Sequence, residues 1–501
     1  MSKEVKYQLW RLVKSLTKAE KRNFKLYATR AGATGSSKFI QLFDVVDRMD
    51  EPDDALAMKR MKITTGQYSN LKRHLYQELL TSLRLIYIRK EIDIELREQI
   101  DFTRILYGKG HYLDALRTLE RAKAKAVEHN QDLLHLEILE FQKLIEARHI
   151  TLSRQVSNKM DLLLNESGER SHNVLNTSEL FSLSIQIHGR YIELGHSRDE
   201  DGRLATREFW DSIQAKRVGR ASAPNTFHQQ VHRFQAGMWY HYIQLDIDTA
   251  LEAAINAQTL FTLSRQMIVK DPDLYLRCLY YVAMLSYLDK DEKKAVRYVH
   301  RLQSFLDDEK IHLNENSRNI GRIYFNLSLF NIHFLQRDKE LTYAHGQKLI
   351  SAYNEKTFRP NNHRWGLFLY KIAASCFLVN RYDEALDHLN SIINMRSGVF
   401  REDLLINTRI LHALCNFELS NYSLVDYHLT NLSRLLRRSR ETAAVHRLAV
   451  SGIRRLLNLP AAERKPVYSD IRENLTLLRN QPFENKALAY LDLEEWLSLH
   501  L

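Results

Sequence analysis

Glycine, proline and cysteine are scarce in this sequence, with 16 Gly, 7 Pro and 3 Cys among 501 residues. So few breakers of regular structure exclude a fold made of many short strands and tight turns, and they favour long helices. The three cysteines, Cys278, Cys376 and Cys415, stand in apolar helical patterns and form no Cys-x-x-Cys motif. That placement excludes a disulfide framework and predicts buried thiols in a reducing compartment.

Long apolar runs are missing as well. No stretch reaches the roughly 18 uncharged apolar residues that a membrane-spanning helix needs. The opening segment, MSKEVKYQLW, lacks the apolar core of a signal peptide. We therefore expect a cytoplasmic protein that does not insert into a membrane.

Signatures of catalysis are also absent from the sequence, which has no Gly-x-Gly-x-x-Gly, Walker loop, Gly-x-Ser-x-Gly or His-Glu-x-x-His. His228 and His232 share a predicted helix face, but no Cys or acidic ligand follows at a metal-site spacing, so surface or groove histidines are favoured. Arg440 and His446 in RETAAVH resemble the Arg and His pair of helical ribonucleases, a match expected by chance at this Arg and His content. We predict a protein that is not an enzyme and needs no cofactor or metal.

Positive charge is concentrated at one end of the chain. The formal net charge is +12, and residues 1 to 90 hold 19 Lys and Arg against 9 Asp and Glu. Such a concentrated field raises affinity for phosphates or acidic surfaces, so the N-terminal part is expected to meet something anionic. A basic but idle solvated face is the alternative.

Residues 1 to 92 are predicted to form a basic helical module. Thr17 and Glu20 have capping-box spacing, in which hydroxyl and carboxylate each satisfy a free backbone amide, so a helix should run from there to about Arg30. The small, Gly-rich stretch 31 to 37 is expected to be a loop, and Pro52 should end the next helix.

The second half of this module has the layout of a helix-turn-helix: a short helix over 55 to 61, which Asp53 or Asp54 can cap, a turn at 63 to 66 and a long helix from Gln67. Leucines at a spacing of four should face inward. The opposite face carries side chains that can form paired hydrogen bonds with base edges: Gln67, Asn70, Arg73 and Gln77. Lys21 and Lys25 are the expected phosphate contacts. The alternative is a helical cap without any role in nucleic-acid binding.

Beyond residue 93 one pattern recurs. A small residue is followed four positions later by an aromatic residue, and a second small residue comes eight positions after the aromatic one. Apolar residues then stand four and seven positions after the second small residue. Its clearest copies are Thr103, Tyr107, Ala115, Leu119 and Ala122; Ala283, Tyr287, Ala295, Val299 and Leu302; Ala373, Phe377, Ala385, Leu389 and Ile392; and Ala413, Phe417, Val425, Leu429 and Leu432. Weaker copies centre on Tyr242 with Ala250 and on Phe334 with Thr342. Such a pattern indicates stacked helix pairs, because neither helix can bury its apolar face alone.

These residues resemble the tetratricopeptide repeat (TPR) family, whose turn reads Gly-x-Tyr-x-x-Ala. The segment YGKGHYLDALRTLERA, residues 107 to 122, carries the closest match, and 380 to 386 and 420 to 426 match with Gly replaced. The reference positions Ala250, Ala295, Thr342, Ala385 and Val425 lie 45, 47, 43 and 40 residues apart, longer than the usual repeat. The resemblance implies an all-α fold, an α-solenoid of antiparallel TPR-like helix pairs of a divergent, long-repeat type.

The sequence divides on this basis into a basic N-terminal helical module (1–92), a first TPR-like section with an irregular insert (93–227), a TPR-like array (228–460) and C-terminal capping helices (461–501). Within the second part, polar breaks are expected at 165 to 176 and 196 to 202, and a loop at 217 to 225.

The leading hypothesis is a non-catalytic scaffold or adaptor that binds a protein or peptide partner. In the family that this chain resembles, ligand contacts come from the first helix of each pair. Candidate partner-binding residues on this basis are Arg104, Trp239, Asn331 and Arg409, although Trp239 also suits a helix core. Two alternatives remain: a DNA-binding regulator in which the array senses a partner, and an RNA-binding solenoid.

Overall fold

The computed structural model describes residues 7–30, 36–149, 158–215, 226–311, 313–395, 402–439, 442–488 and 493–501. This part of the chain contains 25 α-helices and no strand, with a helical content of 84%, which confirms the predicted all-α class. None of its helices is both long and apolar enough to cross a membrane. The chain forms two compact units, residues 1–174 and 175–501.

The described residues of unit 1 form eight helices and the start of a ninth. The bounds of these nine helices are α1 Gln8–Ser15, α2 Lys18–Arg30, α3 Ser36–Asp47, α4 Asp54–Met61, α5 Thr65–Tyr87, α6 Ile92–Gly108, α7 Tyr112–Glu128, α8 Asp132–Arg148 and α9 Lys159–Leu194. Helices α1 to α5 share one core, formed by residues such as Leu9, Val13, Phe24, Phe43 and Leu75. Helix α9 runs past residue 174 into unit 2.

The predicted helix starts of the N-terminal module are confirmed. Glu20 Oε2 accepts the Thr17 backbone N–H at 2.7 Å, and the Glu20 N–H donates to Thr17 Oγ1 at 3.2 Å. Asp53 caps α4 by accepting the Leu56 N–H at 3.0 Å. The predicted loop at 31 to 37 lies mostly outside the described residues, and α3 begins at its end.

In unit 2 the structure describes the remainder of α9 and sixteen further helices: α10 Glu200–Ala215, α11 Phe227–Ile243, α12 Ile247–Leu263, α13 Gln266–Lys270, α14 Pro272–Leu288, α15 Glu292–Asp307, α16 Glu315–Gln336, α17 Lys339–Asn354, α18 Asn362–Leu378, α19 Tyr382–Ile393, α20 Glu402–Glu418, α21 Tyr422–Arg438, α22 Ala444–Leu457, α23 Lys465–Leu478, α24 Pro482–Leu488 and α25 Leu493–Ser498. A short 3₁₀ turn at Ala461–Glu463 joins α22 to α23.

All six predicted repeat copies are packed helix pairs joined by turns of two or three residues: α6 with α7, α11 with α12, α14 with α15, α16 with α17, α18 with α19 and α20 with α21. The small reference residues Ala115, Ala250, Ala295, Ala385 and Val425 are fully buried in the cores of these pairs. Each therefore allows the close helix approach that the pattern predicts.

One turn geometry repeats through these pairs. The residue five positions before each reference residue has a left-handed backbone, with φ between 55° and 84° at Gly110, Leu245, Lys290, Arg337, Asn380 and Ser420. At Asn380, the Asn380 N–H bonds to the Phe377 carbonyl at 3.1 Å and the Arg381 N–H to the Cys376 carbonyl at 2.8 Å. Paired bonds of this kind form a Schellman motif, which closes the first helix and reverses the chain.

The region predicted to be off-pattern differs from expectation at two places. Asn130 occupies the left-handed position of a further turn, so α7 and α8 form a pair in which buried His135 and Gln142 take the core positions. The expected break at 165 to 176 is wrong, because α9 continues through it. Its polar side chains find tertiary partners, as where Ser167 Oγ donates to Glu140 Oε1 at 2.8 Å.

Of the other two expected interruptions, one is present and one cannot be compared with the structure. Gly195 has φ +73° and ends α9, so a break near 196 to 202 is present, and α10 begins at Glu200. The expected loop at 217 to 225 lies outside the described residues.

The C-terminal helices pack on the array of unit 2. Trp496 of α25 is 1% exposed and contacts Phe417 and Tyr468 edge-on, with centroid distances of 6.2 and 5.5 Å. Phe483 and Ala487 of α24 share a small buried cluster with Leu245, the turn residue between α11 and α12. The C-terminal segment therefore reaches from the last helix pair back to the turn of a much earlier one.

Candidate binding site on the first helices

The first helices of five repeat pairs in unit 2, α11, α14, α16, α18 and α20, carry an unusual set of polar and aromatic side chains. Residues seven apart lie on one face of a helix, two turns or roughly 10 Å along its axis. Tyr324 and Asn331 are related in this way on α16, and Arg364 and Lys371 on α18. Two groups of residues result, an arginine–tyrosine cluster and, two turns further on, a cavity.

The arginine–tyrosine cluster consists of Arg277, Tyr280 and Tyr281 on α14, Tyr324 on α16 and Arg364 on α18. The Tyr280 and Tyr324 rings stack with centroids 4.3 Å apart, and the Arg364 guanidinium lies 5.9 Å from the centroid of each. Tyr324 also interacts with the guanidinium of Arg277. Both arginines are half-buried.

No described carboxylate lies within ion-pair distance of Arg277 or Arg364, and the neighbours that favour their charged form are chiefly tyrosines. His188 of α9, stacked on Trp239 at 4.0 Å, shows the effect on its surroundings. Burial, together with the charges of these two arginines, lowers the pKa of His188 to about 4. The cluster is thus a partly desolvated cationic surface, and such a surface favours an anionic ligand.

The cavity lies between the ends of α14, α16 and α18 and has a volume of about 720 Å³. Its wall includes Tyr287, Phe334, Leu367, Lys371 and Phe377. Burial lowers the pKa of Lys371 to about 8. Its Nζ donates to Asn331 Oδ1 at 2.7 Å and lies 5.3 Å from the Phe334 centroid and 5.8 Å from that of Tyr287.

The C-terminal segment closes one side of this cavity, because Pro482, Lys486 and Leu488 of α24 belong to its wall. Two ion pairs hold that segment in place. Lys486 Nζ lies 3.3 Å from Asp403 Oδ2 on α20, and Lys339 of α17 pairs with Glu495 of α25. The wall is therefore formed by repeat helices and by the C-terminal segment together.

The structure places all four predicted partner-binding residues on first helices. Trp239 is 6% exposed, packed against Tyr281 of the cluster at a centroid distance of 5.6 Å, and Asn331 holds Lys371 at the cavity. Arg104 is exposed on α6, where it pairs with Glu137 at 3.1 Å, and Arg409 is half-buried on α20. Two of the four therefore adjoin the site, and the other two do not.

The predicted nucleic-acid-binding residues lie in unit 1. Gln67, Asn70, Arg73 and Gln77 are all exposed on one face of α5, with Leu75 and Leu79 buried on the other. Gln67 is engaged in the capping box that starts α5, where its side chain accepts the Thr64 N–H at 3.0 Å. The helix-turn-helix layout is present, with a turn at residues 62 to 64.

The two predicted phosphate contacts are already neutralised. Lys21 Nζ lies 2.6 Å from Asp47 Oδ1, and Lys25 Nζ lies 2.7 Å from Asp44 Oδ1. Phosphate contact would have to break these pairs, which removes part of its electrostatic gain. DNA binding by this module stays a prediction.

Sequence reasoning missed Arg277, Arg364 and Lys371, although two of them carried a signal. Arg277 is the only charged residue between Asp273 and Asp289, and Lys371 the only one between Arg364 and Arg381. A lone cation in an apolar helix lies buried or half-buried, and a charge held there needs a partner. The sequence does not show that these two cations lie beside tyrosines of neighbouring helices. That arrangement depends on how the helix pairs stack.

Comparison with known proteins adds little to this description. No model of a known family matches the sequence, and no curated protein matches it. Seven chains of solved structures match, among them the apo form of RapI, with 13% sequence identity over 77% of this chain and 96% of RapI, at a TM-score of 0.37. What the site on the first helices of unit 2 can bind is therefore inferred from the residues of the site alone.

Proposed function

We propose that this protein is a non-catalytic scaffold that binds an acidic segment of a protein partner on the first helices of unit 2. The observation that carries the proposal is the arginine–tyrosine cluster, in which two half-buried guanidinium groups have no carboxylate partner among the described residues. Arginine forks match carboxylate geometry, and neighbouring tyrosines supply apolar contact area, so the cluster suits acidic side chains flanked by apolar ones.

The finer assignment of the fold belongs to the same proposal. We infer that the helix pairs are divergent TPR units, on the strength of the Gly110, Tyr112 and Ala115 turn and its repetition at Asn380 and Ser420. The three described cysteines are free thiols buried in helices, which suits a reducing compartment such as the cytoplasm.

The test compares which proteins the full-length chain captures from extracts of its own cells. R277Q/R364Q removes both cluster charges. R297Q/R434Q removes two charges from exposed positions on second helices, α15 and α21, and serves as the matched control. All three proteins are checked first by thermal unfolding, and each capture is quantified by mass spectrometry with and without nuclease.

We expect one or more acidic partners to be retained by the wild-type chain and by R297Q/R434Q, independently of nuclease, and to be lost from R277Q/R364Q. Retention of the same partners by R277Q/R364Q would place the binding surface elsewhere. Loss of every partner on nuclease treatment would favour nucleic acid as the ligand and overturn the proposal.

A further inference from the structure

The cavity beside Lys371 contains a positive charge that the described part of unit 2 does not neutralise. The Lys371 amine has one amide oxygen and two aromatic rings as neighbours, and no described carboxylate lies within 4 Å of it. Two other lysines of the same wall differ, because Lys339 pairs with Glu495 and Lys486 with Asp403. Lys371 alone among these three lacks a counter-ion.

The remainder of the wall determines what kind of counter-ion could enter. Tyr242, Tyr287, Phe334, Leu367 and Phe377 present aromatic and aliphatic surface. Charged side chains line other parts of the wall: Asp289, Lys290, Glu292, Arg337, Arg479 and Glu495. A volume of about 720 Å³ falls within the range of small-molecule sites, roughly 300 to 1,000 Å³. Because α24 covers one side, the space is bounded, which favours a compact ligand over a continuous polypeptide.

We propose that this cavity binds a small amphipathic molecule with one carboxylate on an apolar body, the carboxylate pairing with the Lys371 amine. One amine can neutralise one negative charge, and the aromatic and aliphatic part of the wall suits the apolar body of the molecule. Asn331 holds one N–H of the amine and leaves the others to the ligand. This inference goes beyond the proposed function and does not depend on it.

The experiment uses three probes that share one apolar body: naphthylacetate, naphthylethanol and naphthylethylamine. Calorimetric titration of the full-length wild-type chain is compared with K371M, which keeps the apolar stem, and with K293M, which removes an exposed lysine of α15 that lies outside the wall. K371Q serves as a second variant if K371M fails to fold.

We expect the wild type and K293M to bind naphthylacetate about tenfold or more tightly than naphthylethanol, as charge-assisted hydrogen bonds of about 1.5 to 3 kcal/mol imply. K371M should bind the two equally, and naphthylethylamine should bind weakest to the wild type. Equal affinity of the wild type for acid and alcohol would overturn the inference. So would the absence of binding by all three probes at millimolar concentration.

Proton linkage gives an independent readout. Because the pKa of the Lys371 amine is lowered to about 8 and a bound carboxylate holds it protonated, naphthylacetate binding should take up protons near pH 8 and weaken above it. The comparison with K371M isolates the lysine from the other titratable and charged groups of the cavity. These include His196, His333, Tyr370, Asp289, Glu292, Glu495, Lys290, Lys339, Lys486, Arg337 and Arg479. Uptake that persists in K371M would contradict the assignment. R277Q/R364Q leaves Lys371 in place, so either proposal can fail without the other.

Discussion

Individual small residues determine how closely the helices of a repeat pair approach. Ala385 is fully buried on α19 and shares a core with Phe377 and Leu389. A larger side chain at this position must displace its neighbours, because protein interiors are close-packed. A small residue is therefore sterically required at the reference position of the repeat, and this requirement can be recognised from the sequence.

We predict that Ala385→Trp lowers the free energy of unfolding by about 1 to 3 kcal/mol or more, because it overpacks this core. Chemical denaturation measures the change. Asp387→Trp introduces the same side chain at an exposed position of α19 and should have little effect. Equal stability of Ala385→Trp and the wild type would show that the register of the repeat is wrong.

His446 gives a pH-dependent contribution at the start of α22. Its Nδ1 accepts the Ala443 N–H at 3.1 Å, so protonation of that nitrogen would abolish the cap. Burial, together with the charge of Lys486, lowers the pKa of His446 from 6.5 to about 4. Between those values the unfolded chain binds a proton that the folded chain does not, so stability falls as the pH drops.

We predict that the wild type loses stability between pH 6.5 and 4 more steeply than His446→Gln does, by up to about 1.4 kcal/mol per pH unit. Gln can accept the same N–H and does not titrate. His300→Gln, at an exposed position of α15, serves as the matched control. Parallel pH profiles for the wild type and His446→Gln would refute the prediction.

At the scale of helices and turns, much of the fold follows from local sequence. Capping residues such as Thr17 and Asp53 and the six small-aromatic-small patterns locate helices and pairs correctly. The seventh pair escapes the pattern because His135 and Gln142, both polar, occupy its buried positions. Their partners are distant in sequence: His135 Nε2 lies 2.9 Å from Glu166 Oε1.

The first-helix site was only partly predictable for the same reason. Local sequence marks Lys371 as a lone cation in an apolar helix, but its amide partner Asn331 is 40 residues away on another helix. Pattern spacing predicts which helices form a pair, whereas the juxtaposition of side chains from different pairs depends on how the pairs stack.

The left-handed turn residues permit a test at this scale. Ser420 is exposed with φ +62°, a conformation that costs about 1 kcal/mol for residues with a Cβ. We predict that Ser420→Gly raises the free energy of unfolding by about 0.5 to 1 kcal/mol, whereas Ser420→Val lowers it. Gly110→Ala, the reverse change at φ +84°, should destabilise its own turn. Equal changes in the free energy of unfolding for Ser420→Gly and Ser420→Val would show that residue 420 does not have a left-handed backbone.

At the scale of the whole molecule, charge is the least evenly distributed property. Most of the net charge of +12 comes from residues 1 to 90, with 19 Lys and Arg against 9 Asp and Glu. Several of these cations are paired within unit 1, including Lys21, Lys25 and Lys72. Net charge therefore overstates how much positive surface the module offers to phosphates.

The exposed face of α5 separates a sequence-reading module from a basic surface. Gln67, Asn70, Arg73 and Gln77 point to solvent, and side chains of these types can read base edges, but comparable polar faces occur on any exposed helix. Phosphate contacts weaken steeply with salt, whereas base contacts confer preference between sequences, so the two contributions are separable.

We predict that duplex DNA binds the full-length chain weakly and without sequence preference, and that binding is lost near physiological salt because Lys21 and Lys25 are already paired. Fluorescence anisotropy with random and selected duplexes over a salt series measures this. Arg73→Ala should then change affinity no more than Lys293→Ala, an exposed cation of α15. Nanomolar binding of one selected duplex at roughly physiological salt, weakened by about 1 to 3 kcal/mol in Arg73→Ala alone, would instead make α5 a recognition helix and the array of unit 2 the regulatory part of a DNA-binding protein.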